Sequence, residues 1–264
     1  MRNNYTIRDE IQEYWSKRAA TFDLQPGHEI FSQSERTAWQ DLLIKHLGRG
    51  DNRKALDLAC GTGVISHLMN DIGFDVTGID WSDAMLSKAR QKSSDRQTDI
   101  AFFIGDAERT GENDGSYDVI VMRHLVWTLV DPQTAFAHWF SLLKPGGKLL
   151  IVDGDFVNNS IAARLVKTLR IAFEGKHLAG PLAKSPEMQA IHQSILSQVY
   201  FSNGAKAKDI AAMLKHEGFE NINVQTRLTA IHRAQSSQMG LLKFLERSIQ
   251  NRYAICAVKP VVPE

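Results

Sequence analysis

The chain has 264 residues, 31 Lys and Arg against 30 Asp and Glu, and a formal net charge of +1, with 43% hydrophobic and 23% charged residues. That make-up is globular and large enough to bury a sizeable core, and with no run of Lys or Arg it excludes capture of nucleic acid or an anionic membrane by bulk electrostatics. No apolar stretch reaches bilayer length, the start is polar with no signal-peptide core, and Cys60 and Cys256 sit in apolar strand-like contexts that predict buried free thiols, so a cytoplasmic protein is expected.

The first predicted element is a helix over residues 8–22, where Ile7, Ile11, Trp15, Ala19 and Phe22 recur at helical spacing. Pro26-Gly27-His28 is a turn. Ser32 and Glu35 have the spacing of a capping box and open a second helix carrying Ala38, Trp39, Leu42, Leu43 and Leu47, closed by Gly48. Ala55-Leu56-Asp57-Leu58-Ala59 then reads as a buried parallel strand, Cys60-Gly61-Thr62-Gly63 as a turn, and Val64, Ile65, Leu68 and Met69 as a helix. Gly61 and Gly63 allow a sharp turn and remove the Cβ atoms that would block a close ligand, while the helix N-terminus offers free N–H groups. The next strand ends in Asp80, about twenty residues on, where an acid can reach a ribose diol. A dinucleotide site wants Gly or Ala three residues after Gly63; Ser66 stands there, which speaks against it. Asp57 would repel a pyrophosphate but attract a cationic amino group.

Asp57-Leu58-Ala59-Cys60-Gly61-Thr62-Gly63 resembles the first motif of the class I S-adenosylmethionine-dependent methyltransferases, of the small-molecule type that includes ubiquinone and menaquinone biosynthesis enzymes. Ala59 takes the place of that family's first glycine. The resemblance implies a Rossmann-like, doubly wound, seven-stranded α/β sheet, mostly parallel with an antiparallel last strand. It implies S-adenosylmethionine as cofactor, with Asp57, Ala59, Gly61 and Gly63 at the methionine end and Asp80 on the ribose. The segment from Tyr14 to Asp23 is similar to the family's N-terminal cap, with Phe22-Asp23 where the usual pattern ends in Tyr-Asp. Trp15 and Phe22 are either plain core packing or ring faces offered to a sulfonium.

Further along, Ser82 caps a helix with Met85, Leu86 and Ala89 inward, and Trp81 either stacks on adenine or packs on the sheet. Residues 100–104 form a third strand followed by Asp106 and Ala107, which match the family's adenine motif: carboxylate to the exocyclic amine, backbone N–H to a ring nitrogen. The fourth strand, residues 117–122, leads into Arg123, His124 and Trp127 at a carboxyl end, where ligands of open α/β sheets sit. Arg123 suits a carboxylate of cofactor or substrate; His124 is either a base or bonded to backbone; Trp127 either walls the methyl-transfer pocket or is core. Asp131-Pro132 starts a helix, Lys144-Pro145-Gly146-Gly147 stops it, and residues 148–152 make the fifth strand, with Asp153 and Asp155 past its end. Two carboxylates do not make a metal site, and no metal is expected.

Residues 158–202 read as helices interrupted by Pro181 and Pro186, in a place where the family carries a substrate roof; His177 and His192 lie there. Residues 208–217 are a helix, 221–227 and 252–259 the last two strands, with a helix near 239–249 between them. The expected organisation is a single domain over 1–264: a cap over 1–50, a cofactor core over 51–157, a roof over 158–205 and the sheet's end over 206–264. The expected reaction is methyl transfer to an O, N, C or S atom of a small molecule, with Trp15, Arg18 and Trp127 as substrate-pocket candidates and His124, His28 and Tyr14 as candidate bases. A homodimer stays open. The rivals are a nicotinamide-dependent reductase, against which Ser66 and Asp57 speak, and a non-catalytic cofactor-binding module, which would bind cofactor without forming product.

Overall fold

In chain order, the elements are α1 (Ile7–Arg18), a 3-10 turn (Ala19–Leu24), α2 (Gln33–Leu47), β1 (Lys54–Leu58), α3 (Val64–Asp71), β2 (Asp75–Asp80) and α4 (Asp83–Arg96). They continue with β3 (Ala101–Ile104), β4 (Tyr117–Arg123), α5 (Pro132–Leu142), β5 (Leu143–Asp155), α6 (Ile161–Glu174) and α7 (Pro186–Gln198). The chain closes with α8 (Ala207–His216), β6 (Glu220–Gln225), α9 (Thr229–Gln235), α10 (Leu241–Ser248) and β7 (Asn251–Val258). This is a computed structural model, and it describes residues 6–158, 161–174 and 185–261; His177 and Pro181 lie outside them.

The seven strands form one sheet of order β3-β2-β1-β4-β5-β7-β6. β7 is antiparallel to both its neighbours, and the pairs on the other side are all parallel. The mostly parallel doubly wound fold implied by the sequence is therefore the fold. Strand residues alternate between two apolar layers, as a period of two requires. Ala55, Val119, Val121 and Leu150 pack with Trp39, Leu43, Leu68 and Leu86 on one face. Leu56, Leu58, Ile120 and Met122 pack with Phe136, Trp139 and Leu214 on the other. Both layers cover the sheet, so β1 and β4 are buried on both sides and read as mainly apolar runs, broken by Asp57 and Asp118. Strand order reverses between β1 and β4, and that crevice is where such sheets bind ligands. A third apolar cluster joins Ile11 and Tyr14 of α1 to Ile195 of α7 and to Val199, with Trp15 and Trp81 against it.

Several boundaries differ from expectation. The first helix ends at Arg18 and tightens into the 3-10 turn, which sets Phe22 between Trp15 (ring centroids 6.0 Å) and His28 (4.2 Å). Ser32 caps α2 by accepting from the Glu35 N–H at 3.1 Å, but the buried Glu35 carboxylate does not complete the box; it accepts from the Gln235 side chain on α9 instead. β5 runs to Asp155, so Asp153 and Asp155 lie within a strand, buried, and not past its end. Their oxygens are used by backbone: Asp153 accepts from Val126 and Gly154, Asp155 from Val157 and Asn158. Pro186 sits in the first turn of α7 behind the Ser185 cap, where its missing N–H costs nothing, so it starts a helix and does not interrupt one. α9 has seven residues, too few to show a period. Among the described residues, no helix is long and apolar enough to cross a membrane.

Trp139 links this core to the crevice: its indole is fully buried and its N–H donates to the Ala107 carbonyl at 2.8 Å, just past β3. Trp139→Ala should lower unfolding free energy by about 3–5 kcal/mol in denaturant melts, through the cavity and the lost bond. A loss under about 1 kcal/mol would show that the ring does not hold the two layers together.

Candidate functional site

The turn after β1 is held in left-handed backbone: φ is +52° at Ala59, +57° at Gly61 and +78° at Gly63. Ala59 carries the strain of a side chain there. A Cβ on Gly61 would meet nothing within 4 Å, so this residue faces open space. A Cβ on Gly63 would stand 3.1 Å from Ala89 and Phe102, so this glycine serves the close approach of α3 to its neighbours. The turn does not leave the Gly61 N–H free: it donates to Asp80 Oδ2 at 2.9 Å, while past β2 the Ser82 N–H donates to Asp80 Oδ1 at 2.8 Å. Ser66, where a dinucleotide site would have Gly or Ala, donates its hydroxyl to Asp57 at 2.6 Å.

Asp57, Ala59, Gly61, Asp80, Trp81, Asp106, Ala107, Arg123, His124 and Trp15 all line one cleft of about 900 Å³, part of it open to solvent. Its roof is α1. Arg8 pairs with Asp106 (2.7 Å) and with Glu108; Gln12 donates to the Trp81 carbonyl (2.6 Å); Ser16 and Ser82 share a hydrogen bond (2.8 Å). The following turn is pinned to the glycine turn, Thr62 donating to Asp23 at 2.6 Å and Lys92 pairing with Asp23 at 3.0 Å. The sequence does not single out Glu108, which lines the cleft and accepts from the Val130 and Asp131 N–H groups as well as from Arg8; an acid two residues after Asp106 has no pattern to mark it.

Of the other candidates, Gly63, Tyr14, Trp127, Arg18 and His28 do not line the cleft, while His124 does. Gly63 is the N-cap of α3. Tyr14 is buried under the cap, its ring 5.6 Å from His192 and its hydroxyl 3.4 Å from Arg18. Trp127 packs edge-on to Trp15 (6.3 Å) and His192 (5.7 Å), and Arg18 lies against Trp15. Neither Trp127 nor Arg18 lines the cleft, so both stand behind Trp15 as support. His28 stacks on Phe22 with its Nδ1 3.2 Å from the Phe22 carbonyl, and burial beside Arg123 and Arg18 lowers its pKa to about 3. His124 lines the cleft in left-handed backbone (φ +62°). Burial, then the charges of Arg252 and Arg123, with His28 and Arg247 nearby, push it well below the usual imidazole value. Its Nδ1 is 3.9 Å from Asp153, too long for a hydrogen bond.

Desolvation also raises the buried acids against the hydrogen bonds that favour ionisation: Asp57 to about 7, Asp80 to about 6 and Asp153 to about 7. Among the described residues no three acids, histidines or cysteines are grouped to hold a metal. The arrangement offers carboxylates to a cation, a diol or an amine, on an apolar floor.

Residues 56–151 match the family described as "Methyltransferase domain". A demethylmenaquinone methyltransferase of Paenarthrobacter aurescens is 25% identical over 239 residues, covering 86% of each chain. One from Renibacterium salmoninarum is 29% identical over 145 residues, 55% of this chain and 59% of its own. Phosphoethanolamine N-methyltransferase 2 of Haemonchus contortus, solved with S-adenosyl-L-methionine, has the same fold at TM-score 0.63 and 17% identity, covering 98% of this chain and 58% of its own. The chain thus spans under two thirds of the length of two of these relatives.

The raised Asp57 fixes a pH dependence. Its carboxyl titrates near 4 in the unfolded chain and near 7 in the fold, so its contribution to stability is complete below pH ~4 and is lost as pH rises to about 7. Asp57→Asn keeps an acceptor for Ser66 and cannot ionise. Without ligand, its stability relative to the wild type should rise between pH 5 and 8, by up to roughly 3 kcal/mol. A difference that stays flat with pH would show that Asp57 titrates alike folded and unfolded.

Proposed function

We propose that the chain, whose residues 56–151 match a methyltransferase domain, is a class I S-adenosylmethionine-dependent methyltransferase that carries the sulfonium methyl to a small-molecule acceptor bound under its N-terminal cap. The observation that carries this reading is the convergence of Asp57, Asp80 and Asp106 with an open Gly61 on one cleft at the sheet's switch point. The residues fit the cofactor. Asp57 is an acid buried at the glycine turn with no cation paired to it among the described residues, and it suits an amino group. Each Asp80 oxygen accepts one backbone N–H and keeps a lone pair for a ribose hydroxyl. Asp106 and the Ala107 N–H suit the base, with Trp81 beside them.

When bound, S-adenosylmethionine supplies a methyl group already activated by its sulfonium. The protein's task is then mainly to align the acceptor and exclude water, and alignment alone is worth several kcal/mol of barrier. In this reading residues 1–50 are the cap, 51–157 hold the cofactor, 158–205 roof the acceptor and 206–264 complete the sheet. Trp15 and Phe22 bring ring faces to the cleft, where a sulfonium is attracted to them. Of the three candidate bases His124 alone lines the cleft; it is kept neutral, as an acceptor of the substrate's proton must be. The names of the demethylmenaquinone relatives support a small acceptor. Two free buried cysteines support a reducing, cytoplasmic setting.

Calorimetry with S-adenosylhomocysteine should show binding, and Asp80→Ala should weaken it tenfold or more, the value of one or two charge-assisted bonds of roughly 1.5–3 kcal/mol each. Unchanged affinity would remove the ribose assignment. At pH 7 the binding heat should also vary with the buffer's ionisation enthalpy, because a ligand ammonium ionises Asp57 and releases its proton. Asp57→Asn should abolish that dependence; wild-type heats independent of buffer would remove Asp57 from the amino-group site.

A further inference from the structure

Arg123, Arg247 and Arg252 come from the end of β4, from α10 and from the start of β7, and they meet in one place. Arg123 donates to the His28 carbonyl at 2.8 Å and lies over Trp39 at 5.4 Å. Arg247 donates to the Pro26 carbonyl at 3.4 Å and rests on Gly27, where a Cβ would collide with its guanidinium. Arg252 lies over Phe156 at 5.3 Å, and the other face of that contact is His124, its ring 5.8 Å from Phe156. The 26–28 loop thus touches two of the guanidiniums, and Phe156 joins the third to His124.

Among the described residues none of these three arginines forms an ion pair, whereas Arg8, Arg36, Arg90, Arg96 and Arg170 each hold a carboxylate at 3.1 Å or less. Nη1 of Arg123, Nε of Arg247 and Nδ1 of His124 are buried without a hydrogen-bond partner. Unpaired buried charge is costly, and adjacent like charges add to the cost. Burial and mutual repulsion accordingly lower Arg247 to about 10 and Arg252 to about 9. The carboxylates nearby do not compensate. Asp57 and Asp153 ionise only near pH 7, and Glu35 is bonded to Gln235. Guanidinium forks match carboxylate and phosphate oxygens in pairs, and Arg123 and His124 line the cleft that also holds Asp57 and Asp80.

We propose that the methyl acceptor carries an oxyanion, a carboxylate or a phosphate, which seats against Arg123 and His124 in the cleft, with Arg247 and Arg252, set behind its lining, adding positive charge. This rests on reading the cleft as the methyl-transfer site, and it narrows the acceptor to anionic small molecules. The test is calorimetry and thermal melting with benzoate, phenyl phosphate and uncharged benzyl alcohol at constant ionic strength, on wild-type protein with and without S-adenosylhomocysteine. The anions should bind at least tenfold more tightly than the alcohol and raise the melting temperature; the tighter of the two names the oxyanion. Arg247→Gln should weaken anion binding tenfold or more, and without ligand it should melt no lower than the wild type, because repulsion is relieved; a purely structural arginine would lower it. Arg252→Gln should act the same way. Lys243→Gln, the same charge change on an exposed residue of α10, should leave anion binding unchanged. Equal binding of alcohol and anions, or anion binding unmoved by both arginine variants, overturns the proposal. Titration with and without S-adenosylhomocysteine separates the two possible failures: cofactor binding without anion binding sinks this inference alone, and anion binding without cofactor binding leaves an anion site but overturns its reading as the seat of a methyl acceptor.

Discussion

The hydrogen bond from the Gly61 N–H to the Asp80 carboxylate ties the turn after β1 to the tip of β2. A carboxylate at that tip is almost fully desolvated, and it stays there because backbone N–H groups from both sides meet it, Gly61 on one oxygen and Ser82 on the other. The first N–H is available because the glycine turn is left-handed, and the second because Ser82 begins α4. One side chain therefore sets the turn, the strand tip and the next helix in a single arrangement, and the cleft is the space they leave. The cap then closes on the same residues, with Ser16 reaching Ser82 and Gln12 the Trp81 carbonyl.

What is legible in the sequence depends on where the constraints are local. The strand-turn-helix of residues 55–69 is written in consecutive residues, so its fold and the acids at the strand tips can be read directly. Ser66 reads only as a missing glycine, yet its hydroxyl is what holds Asp57; the nine-residue separation of that pair has no one-dimensional signature. Asp153 reads as lying beyond its strand because an acid in a buried strand violates patterning, and the Val126 N–H, brought from the connection after β4, joins the Gly154 N–H in making its burial tolerable. Arg247 and Arg252 carry no motif. They become notable only when α10 and β7 lay them beside Arg123, well over a hundred residues away in the chain.

The cleft is electrically divided. Acidic Asp57 and Asp80 lie by the glycine turn, and the guanidiniums of Arg123, Arg247 and Arg252 lie on the other side, from the end of β4, from α10 and from the start of β7. Neither group neutralises the other by direct pairing among the described residues, although Asp57 and Arg123 feel each other. A site that binds two ligands of opposite local charge needs this separation, since an internal salt bridge would satisfy both halves and leave nothing for either ligand. On the proposed reading, that pattern suits two ligands, one offering an ammonium and a sulfonium, the other an anion.

His124 sits where the two halves meet, and its surroundings explain how one imidazole can be both inert and useful. Burial above all, then Arg252, Arg123, His28 and Arg247, disfavours its protonated form, and Asp153 is too distant to bond it and itself ionises only near pH 7. In the ligand-free protein the ring is therefore a very weak base. If the proposed oxyanion seats on the arginines, it offsets their part of this effect and leaves the part due to burial. Its left-handed backbone, uncommon for a side chain of this size, fixes the ring on Phe156 at the cleft wall and gives that strain a use.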